Sequence, residues 1–428
     1  MRAIRDTQKI KTKRIKPELP AGFRDYPPAR AGAKQKLLQT ARETFERFGF
    51  EPMETPAVER TEVLIGGEEE SKKIILNVRG SEEETSDMSL RFDLTVPLAR
   101  FLAANPEIPK PFKRYQIGAV WRGERPQAGR YREFTQADID IVGAGGLDAD
   151  TEILAVIAET LDALGVVNFV IKINDRELLN TLPSRAGFPE KKLWAALRII
   201  DKKDKIGADG VRQELEKEFG KESAKKIESF MRAGAGESAN LAEITKRCAA
   251  LGIEKNKIAI DRSMVRGLSY YTGLIFETVL TDIPEIGSIF SGGRYDNLII
   301  PFTGQKIPAV GASLGVDRLL AALEKLGRLE IMPATAQALV MNLSDSLKTE
   351  YFALAKELRD LGINTSLYLG DDRAFKAQLA YAVKKDIPYV VIYGNEEKKK
   401  NVVTIKNLRT REQKEVAREK IADYFARP

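Results

Sequence analysis

The sequence contains no histidine in 428 residues and a single cysteine, Cys248. Without imidazole there is no Ser-His-Asp or Cys-His triad, no His-based zinc site and no general base of the usual kind near neutral pH. One thiol forbids an internal disulfide and a Cys-rich metal site, and it suits a reducing compartment, so a cytoplasmic location is expected. No apolar run approaches the roughly 20 residues of a membrane span. An enzyme built on this chain must work with carboxylates, arginines, hydroxyls, backbone groups or a hard metal ion.

What is present sets a scale. The length exceeds the roughly 250–300 residues at which single hydrophobic cores stop growing, so two or three domains are expected. With 43% hydrophobic and 31% charged residues, the composition is that of a folded globular protein. The formal net charge is +7, and it is concentrated at the start. Arg2, Arg5, Lys9, Lys11, Lys13, Arg14 and Lys16 face only Asp6 in that stretch, and the rest of the chain is nearly neutral. Residues 1–17 therefore read as a basic arm, either a solvated tail or a phosphate-seeking one.

Along the chain, Leu37, Leu38, Ala41, Phe45 and Phe48 recur at helical spacing over residues 31–48, with Gly49 at a left-handed C-cap. Asp148 and Asp150 are expected to precede a second helix, whose stripe Ile153, Leu154, Ile157, Leu161 and Leu164 ends at Gly165. Between them, Arg114–Arg122 and Glu133–Ile141 predict two strands joined by the loop Gly123–Arg132. Residues 176–256 are charged, helical and punctuated by glycine, without a strand signal, and they contain Cys248 in an apolar setting. Strands are expected again at Lys257–Ile260 and Leu274–Leu280, and a helix at Leu314–Leu326. After Arg328, strands Ala338–Leu343, Asn364–Tyr368 and Pro388–Tyr393 alternate with helices Thr349–Leu361 and Arg373–Lys384. That alternation predicts a mostly parallel sheet covered on both faces. Lys398, Lys399 and Lys400 read as a solvated hairpin tip.

Four segments carry candidate chemistry. Arg122-Gly123-Glu124-Arg125, with Arg130 and Arg132 behind it, concentrates guanidinium groups whose planar forks match phosphate. Arg266-Gly267-Leu268-Ser269-Tyr270-Tyr271-Thr272-Gly273 and Ser291-Gly292-Gly293-Arg294-Tyr295-Asp296 offer glycines for close backbone approach beside tyrosine rings, and each alone reads as a turn. Gly311-Ala312-Ser313-Leu314-Gly315-Val316-Asp317-Arg318-Leu319 is apolar except for one charged pair, which alone reads as a surface bridge.

Together these segments resemble a family. Pro56 after Phe48-Gly49-Phe50, the Arg122/Glu124 strand–loop–strand and the Gly315/Arg318 strand-to-helix are similar, in order, to motifs 1, 2 and 3 of class II aminoacyl-tRNA synthetases. Leu90-Arg91-Phe92-Asp93-Leu94-Thr95-Val96-Pro97, Arg130-Tyr131-Arg132-Glu133-Phe134 and Arg266-Gly267-Leu268-Ser269-Tyr270-Tyr271 resemble the histidyl-tRNA synthetases among them. The resemblance runs from Pro20 to the C-terminus. It implies an α+β fold: an antiparallel-sheet catalytic core in residues 18–175 and 257–328, a helical insertion at 176–256, and an α/β anticodon-binding domain at 335–428.

The resemblance also implies a reaction that needs no histidine. A substrate carboxylate, already ionised near neutral pH, attacks the α-phosphate of ATP to give histidyl-adenylate, and the 3′ hydroxyl of tRNA(His) then takes the histidyl group. Arginines and Mg²⁺ can stabilise the charge. By motif position, Arg122 falls on the α-phosphate, Arg318 on the ATP phosphates, Glu124 and Phe134 on adenine, and Arg266 between the substrate carboxylate and the α-phosphate. Asp93, Thr95 and Gln136 fall around the ammonium and carboxylate of L-histidine. Asp140 and Tyr271 fall at the imidazole nitrogens, beside Tyr270. Arg125 and Gln127 match contacts to the acceptor end of the tRNA, and motif 1 implies a homodimer. No metal-ligand set is assigned. Ser269, Thr135 and Ser291 depart from residues common at their positions, and Asp93 and Asp140 are shorter than the glutamates of some members; no charged catalytic group is lost. The rival expectation is an ATP phosphoribosyltransferase regulatory subunit, a synthetase-like chain of histidine biosynthesis that usually lacks the anticodon domain.

Overall fold

A computed structural model describes residues 15–66, 71–81, 86–126, 130–232, 238–265, 270–331 and 334–426. Most of the basic arm, residues 1–14, lies outside them. The chain forms two compact units. One takes in the residues up to Asp25 and Lys34–Leu329, the other Tyr26–Ala33 and Glu330 onward.

The first helix, α1 (Pro28–Arg47), ends as expected at Gly49, whose φ of 76° lies where only glycine sits without strain. Short strands β1 (Glu51–Pro52) and β2 (Val58–Arg60), helix α2 (Thr61–Ile65), strands β3 (Leu76–Val78) and β4 (Met88–Leu90), and helix α3 (Thr95–Ala104) follow. The hairpin of β5 (Phe112–Trp121) and β6 (Glu133–Val142) is antiparallel from Phe112↔Val142 to Trp121↔Glu133. Helix α4 (Leu147–Ala163) comes next, then β7 (Phe169–Asp175). Helices α5 (Arg176–Asn180), α6 (Leu182–Ala186), α7 (Leu193–Ile200), α8 (Lys203–Arg232) and α9 (Ala239–Ala250) fill the way to β8 (Ile258–Ile260), with no strand among the described residues between. Strands β9 (Leu274–Leu280) and β10 (Ser288–Arg294), the turn of α10 (Ile300–Thr303), β11 (Ala309–Gly315) and α11 (Val316–Lys325) complete the unit.

Eight strands form one sheet in the order β1-β5-β6-β11-β10-β9-β7-β8, antiparallel except for the pairs β1 with β5 and β7 with β8. Helix α4 buries Ile153, Leu154, Ile157 and Leu161 completely, the stripe its spacing predicts. Its start differs from expectation. Gly146 is the N-cap, and Asp148 and Asp150 stand inside the first turn, where carboxylates meet the positive end of the helix dipole. Asp150 is buried there because Arg294 reaches it from β10, with Nη2 at 2.7 Å, while the same guanidinium donates to the carbonyls of Ala144 and Gly146. Cys248 is buried in α9, and burial pushes its thiol up to about 11, so it is unreactive.

The segment Ser291–Arg294 is not a turn. It lies in β10, between β9 and β11, and its glycines answer to close packing rather than to a reversal. A Cβ on Gly292 would collide with the carbonyl oxygen of Gly311. One on Gly293 would stand 2.6 Å from the carbonyl oxygen of Leu274 and 2.9 Å from the Tyr271 ring. The space for Tyr271 is thus a missing side chain on the neighbouring strand.

The second unit has five strands of its own: β12 (Ala338–Val340), β13 (Thr365–Leu367), β14 (Tyr389–Ile392), β15 (Val402–Asn407) and β16 (Gln413–Ala417), in the order β13-β12-β14-β15-β16. Helices α12 (Lys348–Asp360) and α13 (Phe375–Lys384) cover opposite faces. Ala338 and Val340 share a core with Leu354 and Leu358 of α12, while Leu339 and Met341 pack with Ala382 of α13. The alternation along β12 makes both faces apolar, as expected. The sheet is mixed rather than mostly parallel, because β15 and β16 form an antiparallel hairpin at its edge. The three lysines are not a hairpin tip either. They occupy the last turn of α14 (Asn395–Lys400), where Lys398, Lys399 and Lys400 pair with Glu350, Glu396 and Glu415. A short helix, α15 (Ile421–Phe425), closes the described chain.

Candidate active site

Strand geometry assembles the site. Successive residues of β6 point to opposite faces, so Phe134, Gln136, Asp138 and Asp140 share one. Across the sheet, Gly315, Ser313 and Gly311 of β11 stand opposite Gln136, Asp138 and Asp140. A Cβ on Gly311 would run into the Asp140 carboxylate, so the glycine makes room for that side chain. The loop between β5 and β6 is pinned at its base by main-chain bonds: Arg122 N to Arg132 O at 2.8 Å, Gly123 N to Ile74 O at 2.7 Å and Arg132 N to Gly22 O at 2.9 Å. Arg122, just beyond β5, donates from Nε to Phe92 O at 3.1 Å, and its guanidinium lies 5.1 Å from the Phe134 ring centre.

Two cavities open over this face. The first, about 350 Å³, is lined by Arg122, Glu124, Phe134 and Arg318, with Glu277 and Asp317. The second, about 240 Å³, is lined by Asp93, Thr95, Asp138, Asp140 and Tyr295. Arg122, Gln136, Tyr270, Tyr271, Ser291 and Ser313 belong to both, so the cavities adjoin. The residues expected at ATP thus line one chamber, and those expected at the amino acid line the other or the wall between. Arg125 is exposed on the loop and lines neither. Gln127 and Arg266 lie outside the described residues.

The second chamber is rich in buried carboxylates. Burial pushes Asp93 up to about 6, against the backbone N–H of Val96, which donates to its Oδ1 at 3.1 Å, and against Arg122 and Arg114. Burial pushes Asp138 up to about 7, with Arg114 and a Ser313 hydrogen bond opposing and Asp140 adding to the rise. Asp140 is raised by burial and held back by Arg114, whose Nη2 lies 2.8 Å from Oδ2, and by the Tyr295 hydroxyl, which donates to it. Burial raises Tyr270 to about 12 and holds Tyr271 well above the usual tyrosine value, so both hydroxyls stay protonated; Tyr270 Oη donates to Tyr271 Oη at 3.0 Å.

These shifts fix a sign. The unfolded chain releases the Asp93 and Asp138 protons near pH 4, whereas the fold holds them to about 6 and about 7. The folded state binds more protons between those limits, so these groups lower stability as pH rises through that window. The ligand-free Asp138→Asn variant, which cannot ionise there, should therefore gain in thermal midpoint relative to wild type between about pH 5 and about pH 8. A constant difference across that range would refute the assignment.

Several residues at the site carry no mark in the sequence motifs. Arg114 is fully buried beneath Asp140, and Asp138 is 2% exposed on the same face as Gln136 and Asp140. The alternation along β6 would have found Asp138, as it lies midway between two expected site residues. Asp317 is buried rather than at a surface: Arg24 pairs with it, and its Oδ2 accepts from Thr135 N at 2.6 Å. The Arg24 guanidinium also stacks 3.7 Å from the Tyr131 ring centre. Arg318 donates to Ser288 O, which sets its guanidinium against β10.

Comparison with known proteins finds relatives along nearly the whole chain. The family described as histidyl-tRNA synthetase matches residues 22–319, and the anticodon binding domain matches residues 337–427. A histidine–tRNA ligase of Wolinella succinogenes is 42% identical over 430 residues, covering 94% of this chain and 96% of that protein. The crystal structure of histidyl-tRNA synthetase from a Nostoc species superposes with a TM-score of 0.86 at 34% identity, over 97% of this chain and 100% of that one. An ATP phosphoribosyltransferase regulatory subunit/histidyl-tRNA synthetase from Bacillus halodurans shares the fold, at 22% identity and a TM-score of 0.71, over 86% of this chain and 97% of that one. With matches of this extent to both of its parts, the chain belongs to the histidyl-tRNA synthetase family.

Proposed function

We propose that the protein is a histidine–tRNA ligase, activating L-histidine with ATP to histidyl-adenylate and transferring the histidyl group to the 3′ end of tRNA(His). One observation carries the reading: Arg122 lines the nucleotide chamber and the amino-acid chamber at their common wall. A carboxylate and a polyphosphate repel each other, and a guanidinium between them offers hydrogen bonds to both. The attacking carboxylate is already ionised, so the burden is charge stabilisation and alignment, which a protein without histidine can meet.

In this reading Phe134 stacks on adenine, Glu124 holds its edge, and Arg318 and Arg266 complete the phosphate set. Asp140 accepts from one imidazole nitrogen and Tyr271 bonds the other; the high pKa of Tyr271 keeps it a hydroxyl. Asp93, Thr95 and Gln136 hold the amino-acid head, while Arg125 and Gln127 touch the acceptor end of the tRNA. Among the described residues no cluster of three His, Cys, Asp or Glu side chains offers a preformed metal site. Mg²⁺ would accompany the ATP phosphates, and Glu124, Glu277 and Asp317 are the carboxylates lining that chamber. We assign residues 18–175 and 257–328 to the catalytic core, 176–256 to an insertion, 335–428 to anticodon binding and 1–17 to the basic arm, in a homodimer of the cytoplasm. No helix among the described residues is long and apolar enough to cross a membrane.

The test is ATP–pyrophosphate exchange with L-histidine, followed by charging of a tRNA(His) transcript. Exchange that depends on L-histidine, and acid-precipitable histidyl-tRNA, are expected. A protein that binds the tRNA without either would instead be a regulatory relative.

A further inference from the structure

Within the amino-acid chamber, one buried carboxylate has no task in the reading above. Asp138 is 2% exposed, and its Oδ1 has no hydrogen-bond partner among the described residues. Its neighbours on either strand are committed. Gln116, opposite on β5, accepts with its amide oxygen from Thr55 N and Oγ1, each at 3.0 Å. Ser313, opposite on β11, accepts from Gln136 Nε2 at 2.7 Å and hydrogen-bonds Asp138. A hydroxyl has one proton to give, so a Ser313 that accepts from Gln136 donates to Asp138. With Nε2 spent on Ser313, the Gln136 amide keeps Oε1 as its second hydrogen-bonding atom, and that buried oxygen too lacks a partner among the described residues. The Asp93 carboxylate lines the same chamber. Burying carboxylates without a partner is costly, and such groups are kept where a ligand supplies the missing donors.

We propose that Asp138 is a further substrate-binding residue: with Gln136 Oε1 and the Asp93 carboxylate, its unpaired Oδ1 accepts the three N–H bonds of the substrate's α-ammonium. The proposal rests on the histidine–tRNA ligase reading, which supplies the ammonium. Three donors meet three acceptors from different parts of the fold, and Asp138, about 6–7 Å along β6 from both Gln136 and Asp140, stands between the head and ring positions. Arg114, the cation that opposes the rise of Asp138, is already bound to Asp140 and to Leu94 O, so it does not supply Oδ1 with a donor.

The experiment measures binding of three probes by calorimetry to wild type, Asp138→Asn and Ser313→Ala. L-Histidine and L-histidinol carry the ammonium; 3-(imidazol-4-yl)propionate keeps ring and carboxylate but lacks it. Asp138→Asn is expected to weaken L-histidine and L-histidinol by about 10–100-fold, the range for losing a charged hydrogen bond, and to leave the propionate within about 3-fold. Ser313→Ala, which keeps the charge but frees its orientation, should give the same ligand pattern with a several-fold smaller loss, and it serves if Asp138→Asn does not fold. Equal losses for all three probes, or none, would overturn the proposal and make Asp138 a structural counter-charge to Arg114. Failure of the wild type to bind any probe would instead remove the histidine reading, and the proposal with it.

Discussion

Replacing Arg122 by alanine is expected to slow histidine-dependent ATP–pyrophosphate exchange by about 10³-fold while leaving the thermal midpoint nearly unchanged. The side chain is held at one end only, by Nε to Phe92 O and by its stacking over Phe134, and it is not part of the packed core. The residue lines both chambers. A group there contributes little to the free protein and most when charge moves from carboxylate to phosphorus. A 10³-fold loss corresponds to about 4 kcal/mol of transition-state stabilisation, within what one fixed cation in a water-poor site supplies. Lysine should not rescue it fully, because an ammonium is a point charge and cannot present two parallel N–H bonds to two anions. Arg122→Lys is expected to recover about tenfold at most. Arg318→Ala gives the contrast: Arg318 lines only the nucleotide chamber, so its loss should raise the KM for ATP and spare L-histidine binding. Equal effects on both substrates from Arg318→Ala, or an active Arg122→Ala enzyme, would mean that the chambers are not used in this way.

Which of these features the sequence discloses depends on how far apart in the chain the partners lie. Helix α4 and the β5–β6 hairpin were legible because each is a local pattern, an apolar stripe or two apolar runs around a loop. Phe134, Gln136 and Asp140 were legible from motif positions, and the period of two along β6 adds Asp138 to them. Arg114 becomes visible only when the hairpin register is known, since it stands directly opposite Asp140. The pairs Arg24–Asp317 and Arg294–Asp150 join residues 293 and 144 positions apart, and nothing local in the chain announces them. Where local cues misled, a tertiary contact was deciding. Gly292 and Gly293 look like a turn but are strand residues that neighbouring strands oblige to lack a side chain. Strand β16 was missed because it is mostly exposed and polar, and it is held as an edge strand by its partner rather than by an apolar face of its own.

The largest stability loss is expected at Arg114. It is fully buried, with Nη2 at 2.8 Å from Asp140 Oδ2 and at 3.0 Å from Leu94 O. It is also the cation that opposes the burial-driven rise of Asp93, Asp138 and Asp140 alike. Removing one partner of a buried pair strands the other, at a cost of about 3–5 kcal/mol. Arg114→Met, which keeps much of the volume, should lower the thermal midpoint by roughly 10 °C. Part of that cost can be avoided by taking up protons, so the loss should be smaller near pH 5, where the carboxylates are neutral, and larger near pH 8. The decisive comparison is the double variant Arg114→Met with Asp140→Asn. If the penalty is the stranded charge, neutralising Asp140 should return most of the midpoint, whereas a packing defect under Leu94 would leave the two losses additive. Stability and catalysis should then separate: the double variant folds, yet it lacks the anionic acceptor expected to read the imidazole, and L-histidine should bind to it at least about tenfold more weakly than to wild type.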